Sequence, residues 1–165
     1  MAQTGQPEVL EGGYQVPKSA RFAIVASRFN GPIVENLVAG ALDAFRRHGV
    51  ESERITVVRV PGSFETPLVA TRLARSEKFD AVVALGVVIR GATSHYDHVV
   101  AEVASGCARG ALESGVPILF GVLTTENIEQ ALERAGTKAG NKGFDAALGA
   151  LEMASLDQAL SEAGY

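Results

Sequence analysis

Four apolar runs of strand length, Phe22 to Ser27, Ile55 to Val60, Ala81 to Ile89 and Pro117 to Leu123, alternate with stretches whose apolar residues recur at helical spacing. Few folds accept that alternation. Near-continuous apolar strands are buried on both faces, and parallel neighbours need long crossovers between them. Between the first two runs, Val34, Leu37, Val38, Ala41, Leu42 and Phe45 form an i, i+3, i+4 series closed by Gly49 at the C′ position. After the third, Val99, Val100, Val103, Ala104, Cys107, Ala108, Ala111 and Leu112 form a second apolar stripe, ended by Gly115. A shorter helix is expected over Leu68 to Ala74, entered through Ser63 and Pro67. Beyond the fourth run, a short helix from about Glu126 to Ala135 and a long one from about Phe144 to Ala163 complete the chain. Right-handed crossovers then give a three-layer αβα sandwich around a four-stranded parallel sheet, an α/β fold.

The chain has 165 residues, 47% of them apolar, enough for one domain that buries roughly 70% of its unfolded surface. Residues 1–18 are rich in Gly, Pro, Gln and Glu without apolar periodicity and read as a tail or loosely attached arm; 19–165 read as one domain. A formal charge of −4 without a Lys/Arg run offers no footprint for nucleic acid or for an anionic membrane. No apolar stretch reaches the ~20 residues of a bilayer span, and the basic-then-apolar start of a signal peptide is absent. The expected compartment is therefore the cytoplasm, and the lone Cys107, unable to form an internal disulfide, fits it.

In open parallel sheets ligands bind beyond the carboxyl ends of the strands. The connections there carry Arg28, Phe29 and Asn30; Pro61, Gly62, Ser63, Phe64 and Glu65; Arg90 to His95; and Thr124, Thr125 and Glu126. The turn Gly91, Ala92, Thr93, Ser94 runs straight into a helix, where free N–H groups and the positive end of the macrodipole favour a phosphate. The same residues read equally as an N-cap by Thr93 or Ser94 and nothing more. His95, in the first helical turn, is placed to move protons on a substrate bound at that turn, or is structural. His98 follows one turn on, but an i, i+3 metal pair lacks an obvious third ligand. Gly86 to Thr93 imitates a P-loop, with Ala92 where the Lys should be, and no G-x-G-x-x-G joins a strand to a helix. Cys107 lies about 18 Å along the helix from His95, inside the apolar stripe, and reads as core rather than nucleophile.

The ordered segments RFN at 28–30, PGSFE at 61–65, GVVIRGATSHYD at 86–97, FGVLTTEN at 120–127 and ERAGTKAGNKG at 133–143 closely resemble lumazine synthase, from about residue 20 onward. The resemblance implies a flavodoxin-like fold and a transferase of riboflavin biosynthesis. Such an enzyme condenses 5-amino-6-(D-ribitylamino)uracil with 3,4-dihydroxy-2-butanone 4-phosphate and releases phosphate, without cofactor or metal. It further implies that Phe29 stacks on the pyrimidine, that Ser63, Phe64 and Glu65 hold the ribityl chain and ring edge, and that Val87, Val88 and Ile89 offer backbone groups to the ring. Ala92, Thr93 and Arg134 would receive the phosphate, His95 would move protons, and Phe120, read as ending the fourth strand, would close the aromatic pocket. Lys138 and Lys142 add charge near Arg134. The family's assemblies lead one to expect a homopentamer and a sixty-subunit icosahedral shell, sites shared between neighbouring subunits, and association with riboflavin synthase. Two other readings compete: a flavodoxin-like carrier holding flavin without turnover, whose phosphate loop would have to be Arg28 to Pro32, and a shell-building subunit with an idle site.

Overall fold

The computed structural model describes residues 7–165. A parallel sheet of four strands, β1 (Phe22–Ser27), β2 (Ile55–Val60), β3 (Ala81–Ile89) and β4 (Ile118–Thr125), runs in the order β2-β1-β3-β4. The helices are α1 (Gly31–Arg47), α2 (Thr66–Ala74), α3 (His95–Ser114), α4 (Ile128–Arg134) and α5 (Lys142–Ala163). This is the three-layer α/β arrangement that the alternation demands.

Burial follows strand order. Every residue of the inner strand β1 is buried, as are Ala81 to Val87 of β3, while the edge strands β2 and β4 are only partly covered. Successive side chains of a strand point to opposite faces, so each inner strand feeds two cores. Phe22, Ile24, Val83 and Leu85 pack with α1 and α5; Ala23, Val25, Val82 and Ala84 pack with α2 and α3. Phe22 and Phe45 meet at 4.7 Å between ring centroids, joining β1 to α1. Gly49, at φ +78°, takes the left-handed conformation that ends α1 as the sequence anticipates.

Three local readings need correction. Val103 and Cys107 of the α3 stripe are buried, but Ala104 and Ala108 are exposed and Leu112 is 87% exposed. The buried line is Tyr96, Val103, Cys107 and Gly110, because α3 presents only one narrow side to α2 and the sheet. Phe120 does not end β4: it is paired with Ala84, and the strand continues to Thr125, which is paired with Ile89. The connection between α4 and α5 holds a small antiparallel hairpin, β5 (Ala135–Thr137) and β6 (Gly140–Asn141), and α5 begins two residues earlier than expected. Its start is set by Asn141, whose side-chain oxygen accepts from the N–H groups of Gly143 and Phe144 at 2.9 and 3.1 Å.

The first six residues of the predicted tail lie outside the described residues. The rest of it runs over α5 and the end of α1. Gly13 N–H donates to Ser155 Oγ (3.1 Å), Tyr14 meets His48 edge-on at 5.3 Å, and the Pro17 carbonyl accepts from Arg54 (2.8 Å).

Candidate active site

The loops beyond β1, β2 and β3 and the first turn of α3 enclose a cavity of about 470 Å³. Phe29, Ser63, Phe64, Val87, Val88, Ile89, Thr93 and His95 of the predicted set line it, joined by Asn30, Tyr96, Val99 and Ile128. The β1 loop is tied to the β2 loop by Arg28 and Phe29 N–H groups donating to the Val60 and Pro61 carbonyls (2.8 and 3.0 Å). Asn30 turns the chain into α1 with φ 58°, a left-handed conformation that Asn tolerates. Its side-chain amide donates to the Val87 carbonyl at 3.1 Å, fixing this loop to β3 as well. Phe29, 71% exposed, is therefore held at the rim by its backbone while its ring stays open to a ligand.

The β2 loop makes a short 3₁₀ turn, Ser63–Glu65. Glu65 does not line the cavity; its carboxylate accepts from Gly62 N–H (2.9 Å) and so shapes the turn. Ser63 is buried, and its Oγ has no hydrogen-bond partner. It sits against Gly86, where a Cβ would collide with that hydroxyl. A buried hydroxyl without a partner is costly, and this one is packed against the β3 backbone beside Ser27.

At the third loop, the N-cap reading is the weaker one. Ser94 makes no side-chain cap hydrogen bond, and Thr93 Oγ1 accepts only a long bond, 3.4 Å, from His95 N–H. Asp97 N–H donates to the Ser94 carbonyl (3.1 Å), which leaves the weakly held N–H of His95 as the group at this helix start suited to an anion. His95 is itself exposed. Among the described residues no three His, Cys, Asp or Glu side chains gather where an ion could be held. Arg90, just ahead of the turn, pairs with Glu126 through Nε (2.8 Å) and with Asp97 (3.1 Å), its guanidinium lying 4.1 Å from the Tyr96 ring centroid. Partial desolvation opposes its charge, but the Asp97 and Glu126 carboxylates outweigh that and raise its pKa further.

Two predicted site residues lie elsewhere in the chain. Phe120 is 44% exposed on the edge strand β4, five residues before the strand's end, or about 16 Å from the rim at strand rise. Arg134 ends α4, donates to the Gln130 carbonyl (3.1 Å) and lies 3.8 Å from Glu133. Neither lines the cavity, nor does Ala92, which is exposed within the turn between Gly91 and Thr93. Lys142 pairs with Asp145, and Lys138 is exposed on the hairpin. Cys107 is buried, and desolvation pushes its thiol up to about 11, as befits a core residue.

Sequence reasoning assigned no role to Asn30, Tyr96 or Ile128. Asn at the turn from strand to helix was the available signal for the first, and an apolar residue in the first turn of a rim helix for the others. The family model for 6,7-dimethyl-8-ribityllumazine synthase matches residues 19–158, nearly the whole described chain, and with this cavity at the head of its parallel sheet the chain belongs to that family.

Proposed function

We propose that the family's condensation runs in the cavity at the start of α3, with His95 as the proton-transfer group. The observation that carries this is the convergence of an exposed aromatic, an unpartnered hydroxyl, strand-end backbone and an uncapped helix start around one space. Phe29 stacks on the pyrimidine, the backbone of Val87, Val88 and Ile89 reads its edge, and Ser63 and Phe64 hold the ribityl chain. Glu65 acts through the turn it stabilises. The phosphate sits at Ala92 and Thr93, at the start of α3.

The amine adds to the ketone and loses water to give a Schiff base. Phosphate then leaves, and tautomerisation, ring closure and a second dehydration complete the product. Each stage moves protons, and His95 lies beside the turn where they move. Orienting two small substrates contributes ~7 to 11 kcal/mol of barrier reduction, against roughly 10² to 10⁴ in rate for a positioned acid or base, so positioning contributes more than proton transfer.

The site is completed by a second copy of the chain. Neither Phe120, exposed on the β4 edge, nor Arg134, half-buried at the end of α4, lines its own chain's cavity, and a head-to-tail ring contact would present them to a neighbour's. We extend this to a homopentamer, with twelve-fold packing of pentamers into the sixty-subunit shell. Purified protein mixed with the two substrates should form the fluorescent lumazine faster than the uncatalysed reaction. A rate equal to the background would favour the idle-subunit or flavin-carrier reading.

A further inference from the structure

We infer that Arg90 is the positioning residue of the Gly91–Ser94 turn, holding both ends of that turn and the end of β4 in one frame. The inference rests on reading the turn as the phosphate seat. Arg90 is the last residue before the turn; Tyr96 and Asp97 lie just after it, and Thr125 ends β4, with Glu126 next in the chain. Its N–H donates to the Thr125 carbonyl (2.9 Å), its Nε to Glu126 (2.8 Å), and its outer nitrogen reaches Asp97 (3.1 Å), while the guanidinium covers the Tyr96 ring. One side chain therefore joins three segments.

The turn has few other ties. Gly91 to His95 are all exposed, nothing lies within 4 Å of the position a Gly91 Cβ would take, and among the described residues the turn's bonds are the Asp97 N–H to the Ser94 carbonyl and the long one from His95 N–H to Thr93. Amide groups that bind an anion act through fixed geometry, so a turn this bare needs an external frame. Arginine suits that role because its planar fork spans two carboxylates while its face stacks on a ring, which a lysine cannot do. A second effect points the same way. Asp97 and Glu126 would oppose an arriving phosphate, and Arg90 is engaged with both.

These ion pairs are substantially exposed, at 37% for the Arg90 side chain and 58% for each acid, and such pairs contribute little to global stability. Arg90→Ala should therefore fold and assemble, with its defect confined to the seat. The test measures KM for each substrate and the inhibition constant of inorganic phosphate, using the full-length assembled protein. Arg90→Ala should raise both the KM of the phosphorylated substrate and the phosphate inhibition constant on the order of tenfold, with the pyrimidine KM unchanged within about twofold. Arg90→Lys, which keeps the charge but loses the fork, should show about a threefold selective rise and carries the test if the alanine variant does not fold. Ala92→Asp separates this inference from the seat itself. A selective loss in Ala92→Asp with unaltered Arg90 variants overturns the positioning role alone. Equal effects on both substrates in Ala92→Asp overturn seat and positioning role together, and parallel rises of both KM values in the Arg90 variants mark a merely structural residue.

Discussion

The cavity at the head of α3 and the outer surface of β4 and α4 carry different halves of the proposed chemistry, in opposite surroundings. Phe29, Ser63, Thr93 and His95 line a space that a single chain encloses, with Phe29 and Asn30 tied to the β2 loop and to β3 by hydrogen bonds. Phe120 is exposed on the edge strand, and Arg134 is half-buried at the end of α4, where it donates to the Gln130 carbonyl and lies near Glu133. The first group is organised by folding. The second, on the reading proposed above, acquires its geometry only on association, so folding and activity of this chain are separable events.

That division is challenged most forcefully at His95. Replacing it with alanine should slow turnover by roughly 10- to 10³-fold while KM values change little, because positioning survives the loss of one acid/base group. An unchanged kcat would make His95 structural and empty the cavity half of its chemistry. On the other half, Arg134→Ala should weaken only the phosphorylated substrate, by about 1.5 to 3 kcal/mol, roughly 10- to 150-fold in KM. Equal losses for both substrates would indicate a folding defect instead.

Mixing the two variants tests the contrast directly. Chains carrying His95→Ala and chains carrying Arg134→Ala, unfolded together and reassembled at equal ratio, should regenerate about a quarter of wild-type sites if each site draws on two chains. Activity no better than the mean of the parents would place Arg134 in its own chain's site. The smallest effect belongs to Cys107. Its thiol, pushed up to about 11 by burial, should resist alkylation near neutral pH in the native protein, and Cys107→Ala should leave turnover unaltered. Rapid native-state alkylation with loss of activity would show that α3 opens where the packing says it is closed.

What could be read without coordinates follows from how each signal arises. The four strands were legible because inner parallel strands must be apolar on both faces, and Phe22 to Ser27 and Ala81 to Ile89 fit no other use. The α3 stripe was overread because alanines carry little directional information: Ala104 and Ala108 fit an apolar face by composition yet point outward. Phe120 was misplaced because an apolar run does not announce which of its residues reaches the rim; only the register with β3 does. The cavity-lining loops were legible as the rim of the sheet, since Ser63, Thr93 and His95 follow strand ends, where ligands bind in such sheets. The Arg90 network was not, because its acids come from separate segments that only the fold brings together.

Gly86 seats the site by what it lacks. The space a side chain would take is filled by the Ser63 hydroxyl, so the short turn of the β2 loop rests directly on the backbone of β3. A methyl group at Gly86 would collide with that hydroxyl, so the turn carrying Ser63 and Phe64 could not stay where it is. A descendant of this chain that drifted toward a ring of different dimensions would find more freedom at the mouth, where Ile128 is exposed, than at this close contact.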